Sequence, residues 1–228
     1  MFRTLTLVLC AAAVALAACG DDDAGSGADP SPDRTERSGG AACGTDVEQP
    51  APRRAGGAQR PKNELDPAKT YEVSLQTSCG EITIRVDQRT SPKTAASFVS
   101  LARSGFYDDT VFHRIVPDFV IQGGDPTASG TGGPGYSVRD VPPPDTAYTE
   151  GVVAMAKSAA EPPGTSGSQF YIVTAPDAGL PPEYAVLGEV VRGLAVVQAI
   201  GALGDPASGE AGTPLETVVI EETRVRES

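Results

Sequence analysis

Val111-Phe112-His113-Arg114-Ile115-Val116-Pro117-Asp118-Phe119-Val120-Ile121-Gln122-Gly123-Gly124-Asp125 decides how this chain is read. It holds two short apolar runs, Val111–Val116 and Phe119–Gln122, with the length and β-branched content of strands. Arg114 and Gln122 sit inside runs that are otherwise strand core. A second segment has the same character: Gly151–Lys157, resuming at Gly164 and continuing through Gln169, Phe170 and Tyr171 to Ile172. An arginine on a strand has an ordinary reading, a surface side chain with its stem laid on a neighbour. Aromatics are only 5% of the chain and Trp is absent, so aromatics clustered with Arg and Gln merit weight.

Outward from these segments the pattern stays β-rich. Tyr71–Gln76 and Glu81–Val86 alternate apolar and polar residues, and Ser78-Cys79-Gly80 between them reads as a hairpin turn. Ser91 is placed as N-cap of a helix opened by Pro92, with Phe98, Leu101 and Ala102 on one face and Gly105 as its stop. Further strands are predicted at Val152–Ala156, Phe170–Val173, Ala185–Val191 and Thr217–Glu222, and a second helix at Leu194–Ile200. About eight short strands, glycine-rich joints and two helices predict a mainly β protein, a closed eight-stranded barrel capped by the helices.

The N-terminus reads as an address. Arg3 precedes an apolar run too short for a stable membrane span, the layout of a secretory signal over residues 1–18. Leu16-Ala17-Ala18-Cys19 resembles the lipobox of bacterial lipoproteins, which implies cleavage before Cys19 and its lipidation. The expected location is extracytoplasmic, anchored to the bacterial cell membrane. Residues 19–69 are poor in large apolar side chains and predict a disordered tether reaching on the order of 40 Å, followed by one domain over 70–228. Cys43 in the tether and Cys79 at the turn could form a disulfide in an oxidising compartment.

Composition excludes several functions. A net charge of −12 and the lack of any basic run argue against nucleic-acid binding. A single histidine, His113, rules out multi-histidine zinc sites and leaves at most one base for a nucleophile. Gly130-x-Gly132-x-x-Gly135 has dinucleotide-binding spacing, but Pro134 intrudes and no strand–turn–helix unit surrounds it. Gly164-Thr165-Ser166-Gly167-Ser168 lacks the last glycine of an esterase elbow. No metal and no cofactor is expected.

Phe112–Asp125 resembles the signature of the cyclophilin family almost position for position, and Gly167-Ser168-Gln169-Phe170 resembles its second signature. Gly130–Gly135 looks like the family's intervening loop, and Leu187-Gly188-Glu189-Val190 like a later strand. The resemblance covers roughly residues 70–224. It implies a peptidyl-prolyl cis–trans isomerase with Arg114 as the catalytic arginine. It further implies Phe119, Tyr171 (usually Phe) and Leu180 around a proline pocket, and Gln122 bonding the peptide. His113, Ala156 and Lys157 are implied beside the groove, with Tyr184 where many eukaryotic members carry histidine. Ala178–Glu183 departs most and lacks a tryptophan found in some members, which implies weak cyclosporin binding. The partners implied are proline-containing polypeptides, met by a monomer that touches the membrane only through its lipid. A non-catalytic proline-peptide module or chaperone is the alternative.

Overall fold

The computed structural model describes residues 43, 44 and 46–228. The signal segment 1–18, Cys19 and the first part of the expected tether lie outside the described residues.

β1 (Tyr71–Thr77) and β2 (Gly80–Val86) form the predicted hairpin, with Thr77 opposite Gly80 across Ser78-Cys79. Tyr71, Val73, Leu75 and Thr77 are buried while Glu72, Ser74 and Gln76 are not, as period-two alternation requires. α1 (Pro92–Arg103) starts at Ser91 and is followed by Gly105 in the left-handed region, φ 69°. Ser91 makes no side-chain cap. Asp140 does this instead, accepting from the Thr94 N–H at 2.7 Å across the fold.

The remaining elements are β3 (Thr110–Val111), β4 (Arg114–Val116), β5 (Val120–Gly123), β6 (Val138–Arg139), β7 (Val152–Met155) and β8 (Thr165–Ser166). They are followed by β9 (Phe170–Val173), β10 (Val186–Arg192), α2 (Leu194–Gly201), a 3₁₀ turn (Pro206–Ala211) and β11 (Val219–Glu227). Among the described residues, nine strands pair in the order β3-β11-β1-β2-β10-β7-β9-β5-β4, and β6 pairs with β8 alone. The expected Val111–Val116 strand is split because Phe112 and His113 leave the ladder between β3 and β4. One isolated bridge, Val111 to Asp125, brings the β3 edge to the chain just beyond β5. The sheet is therefore curled. In place of the eight closed strands expected, a nine-stranded sheet curls with β3 and β4 as its edges, and β3 is linked to the far side by that one bridge.

Curling gives the sheet an inside. Ile115, Ile121, Ile172 and Val153 point into the main core with Leu75, Ile82, Ile84 and the α1 residues Phe98 and Leu101. Phe98, Tyr107, Phe112 and Phe170 form an aromatic knot there, with the Phe170 ring edge-on to the other three at 5.6, 5.8 and 6.2 Å. A second, smaller cluster (Val120, Tyr148, Ala154, Tyr171, Val173 and Ala175) lies on the opposite face.

Residues 46–69 depart from the disordered tether expected of 19–69. They carry no regular element but follow a defined path along the domain. Cys43 is bridged to Cys79. The Arg53 N–H donates to Pro126 O at 2.7 Å, Gly56 N–H to Gly133 O at 2.8 Å and Ala58 N–H to Pro134 O at 3.2 Å. Leu65 and Ala58 pack against the main core. Low hydrophobicity predicts disorder when apolar burial is the only force available. Here a covalent bridge lowers the ordering entropy and backbone bonds hold the rest.

Candidate active site

Ala154 on β7, Tyr171 on β9, Gln122 on β5 and Arg114 on β4 are direct cross-strand partners in adjacent strands. Opposed residues of antiparallel strands share a face. Alternation sends Val153, Ile172, Ile121 and Ile115 inward, so the row holding Arg114 and Gln122 must face outward. Four residues scattered through the sequence thus become one line.

The line crosses the smaller apolar cluster, against which Phe119, Ala156, Leu180 and Tyr184 also pack. Together they shape a depression of about 390 Å³. Eight of the residues singled out in the sequence line it: Arg114, Phe119, Gln122, Ala156, Lys157, Tyr171, Leu180 and Tyr184. Val120 and Glu210 complete the lining.

The guanidinium is held in place. Arg114 Nε donates to the Glu210 carbonyl at 3.0 Å and Nη1 to Gln122 Oε1 at 3.2 Å, and Cζ lies 6.0 Å from the Phe119 ring centre. Among the described residues Nη2 donates to nothing, so one N–H pair is left for a ligand. Burial lowers the guanidinium pKa, with the Glu210 carboxylate acting the other way; arginine still remains a cation. Gln122 Nε2 in turn donates to Gln169 Oε1 at 3.0 Å, and Gln169 Nε2 to Gly132 O at 2.9 Å.

That relay ends on Asp125, which anchors the glycine-rich loop. Its carboxylate accepts from the Thr127 N–H (2.7 Å), the Thr127 hydroxyl (2.8 Å) and the Gly132 N–H (3.0 Å). Burial acts to raise the Asp125 pKa, but these bonds outweigh it and the pKa is lowered. Gly124 makes the approach possible. Its φ is 83°, and a Cβ there would lie 2.5 Å from Ser168 O. Gln169, Glu210 and Asp125 had no role assigned from sequence. Gln169 and Asp125 stood within the two quoted segments, whereas nothing local marked Glu210.

The model of the family described as "Cyclophilin type peptidyl-prolyl cis-trans isomerase/CLD" matches residues 72–225. The chain belongs to this family. It is 40% identical over 172 residues to peptidyl-prolyl cis-trans isomerase B of Streptomyces anulatus, covering 68% of this chain and 95% of that protein. It is 39% identical over 145 residues to the human peptidyl-prolyl cis-trans isomerase-like 1, covering 62% of this chain and 84% of that one. A cyclophilin type isomerase of Cryptosporidium parvum, solved in the presence of the dipeptide Ala-Pro, superposes with a TM-score of 0.61 at 29% identity. That match covers 68% of this chain and 98% of the other.

Three residues of this cyclophilin have surroundings that its sequence did not show. Lys157 lines the depression, but its side chain is only 3% exposed and its ammonium is spent. It pairs with Glu183 at 3.0 Å, lies 5.4 Å from the Tyr184 ring centre and reaches the Ser158 and Glu161 carbonyls. The lysine therefore clamps the rim and offers no free cation to a peptide. Tyr171 carries its hydroxyl into a buried position with no partner among the described residues, and burial raises its pKa.

His113 does not line the depression that holds Arg114. It lines a neighbouring depression with Gln49, Ala128 and Leu215, behind the glycine-rich loop whose Gly130 its ring adjoins. Burial, the largest influence, lowers its pKa from the ordinary 6.5. The unfolded chain then binds more protons between that value and the folded pKa. Stability attributable to His113 is intact above about pH 6.5 and falls as pH drops through the folded pKa. With no second histidine, denaturant titrations of wild type and His113→Asn should diverge in that window. Parallel stability curves would show that the imidazole does not titrate there.

Proposed function

We propose that this cyclophilin acts as a monomer on Xaa-Pro bonds of exported or envelope polypeptides, held at a membrane surface through lipidated Cys19. The reading rests on a cation fixed at the lip of an apolar slot. Arg114 is locked by Glu210 O and Gln122 with one N–H pair unspent, above the walls made by Phe119 and Tyr171.

The chemistry this arrangement can perform follows from the bond. An amide resists rotation by about 18–20 kcal/mol because the nitrogen lone pair is delocalised. Xaa-Pro bonds populate both isomers yet exchange over tens of seconds or longer. No nucleophile or net proton transfer is needed, only a site that favours the twisted amide over the planar one. In the twisted amide the lone pair is localised on nitrogen, and the spare Arg114 N–H groups can donate to it or to the adjacent carbonyl. Phe119, Tyr171 and Leu180 grip the ring while the preceding segment turns. Gln122, oriented by Gln169, bonds the peptide backbone.

A protease-coupled assay with one Xaa-Pro peptide tests the reaction. Acceleration is expected. Peptide binding without acceleration would favour the proline-binding module instead.

Two observations support the address: the Leu16-Ala17-Ala18-Cys19 motif, and the Cys43–Cys79 bridge, which belongs to an oxidising compartment. Cys19→Ser should shift the protein from the membrane fraction to the soluble fraction of expressing bacteria. Retention with membranes would remove the anchor.

A further inference from the structure

A second depression, about 810 Å³, adjoins the proline slot and shares Gln122, Ala156 and Lys157 with it. The two are parts of one groove, so a polypeptide with its proline in the first must extend across the second. On one side the second depression is walled by the glycine-rich loop and Gln169. On the other the wall is Ala55 and Gly56, residues that lie upstream of the family match at 72–225.

This upstream segment is fastened where it meets the groove. Arg53 sends one Nη2 to the Phe106 and Asp108 carbonyls at 2.6 and 2.8 Å, while its backbone N–H bonds Pro126 O. Gly56 and Ala58 then bond Gly133 O and Pro134 O in succession. Gly135, at φ 92°, meets Gly56 backbone to backbone: a Cβ on Gly135 would fall 3.0 Å from Gly56 Cα. Farther upstream the Cys43–Cys79 bridge and the Gly44 N–H to Ser78 O bond fix the segment to the first hairpin.

We propose that residues 53–58 are a specificity wall that selects small residues flanking the proline of a polypeptide substrate. The proposal rests on the isomerase reading. The wall offers only a methyl group and hydrogen-bonded backbone, while Pro134, Tyr136 and Ala156 supply apolar surface elsewhere in the depression and the Gln122 and Gln169 amides supply polar groups. The wall sets the width: a bulky side chain beside it must displace backbone that is bonded at Gly56 and Ala58. Arg53 acts as a positioning residue, setting the width without touching substrate.

The test uses the full-length chain and a peptide series with Ser, Phe or Trp two and three places before a constant Ala-Pro. Arg53→Ala should raise the Trp-to-Ser ratio of kcat/KM by about fivefold or more, through KM. Ala55→Trp, which fills the space without disturbing the anchor, should lower the same ratio. Arg53→Lys keeps the charge but loses the planar donor, and should fall between wild type and Arg53→Ala. Equal ratios in wild type and all variants, with turnover intact, would overturn the wall and leave the isomerase standing. Failure of the wild type to accelerate any peptide would overturn both.

Discussion

Replacing Arg114 with alanine will lower kcat/KM toward an Xaa-Pro peptide by at least about tenfold, because it removes the only donor aimed at the twisted amide. The loss should fall mainly on kcat, since the apolar walls that hold the ring are untouched. Arg114 is half-exposed on a short strand at the sheet's edge, and its own bonds go to one carbonyl and one side-chain amide. Its removal should therefore leave the circular dichroism spectrum and thermal midpoint close to wild type. Arg114→Lys should recover little. An ammonium cannot donate at once to Glu210 O, Gln122 and a ligand with the geometry of a planar guanidinium. A variant as fast as wild type would dismiss Arg114 from the reaction.

Phe170→Ala will cost about 3–5 kcal/mol of stability, the largest effect expected of a single core truncation. Phe170 is fully buried and meets Phe98, Tyr107 and Phe112 edge-on. It also pairs with Gly123 on one side and Met155 on the other, immediately before Tyr171. Phe98 and Tyr107 also pack on each other at 5.0 Å, which limits their collapse into the space. Urea unfolding should show a lower midpoint at an unchanged slope. A loss below about 1 kcal/mol would mean that the knot relaxes around the void, contrary to its packing.

Much of this architecture was legible because it rests on local pattern. β1 and β2 declare themselves by alternation, α1 by Ser91-Pro92 and Gly105, and β9 is bounded by Phe170 and Val173 as read. The site was legible because Arg114 and Gln122 interrupt apolar strand runs inside the first family signature, and Tyr171 follows directly on the second. What stayed hidden depends on residues distant in the chain. Asp140 caps α1 from another loop, Glu210 supports Arg114 through a main-chain carbonyl that any residue could provide, and β6 and β8 are two residues each. The resemblance places His113 beside the groove, and the structure sets it behind the glycine-rich loop, in a neighbouring depression. Lys157 was read as groove lining, and only Glu183 and Tyr184 reveal that its charge is already committed. Residues 46–69 defeated a compositional argument because Arg53 and the bridge do what apolar surface normally does.

The outward line Ala154–Tyr171–Gln122–Arg114 has a kinetic consequence. Arg114 and Gln122 meet within the β4–β5 hairpin, but Tyr171 and Ala154 join them only after β9 has settled between β5 and β7, pairings of higher contact order that form more slowly. The β4–β5 hairpin carries Arg114, Phe119 and Gln122 but lacks Tyr171, which completes the slot only from β9. Catalytic competence and the cooperative β-sheet should arrive together on refolding, and vanish together in denaturant.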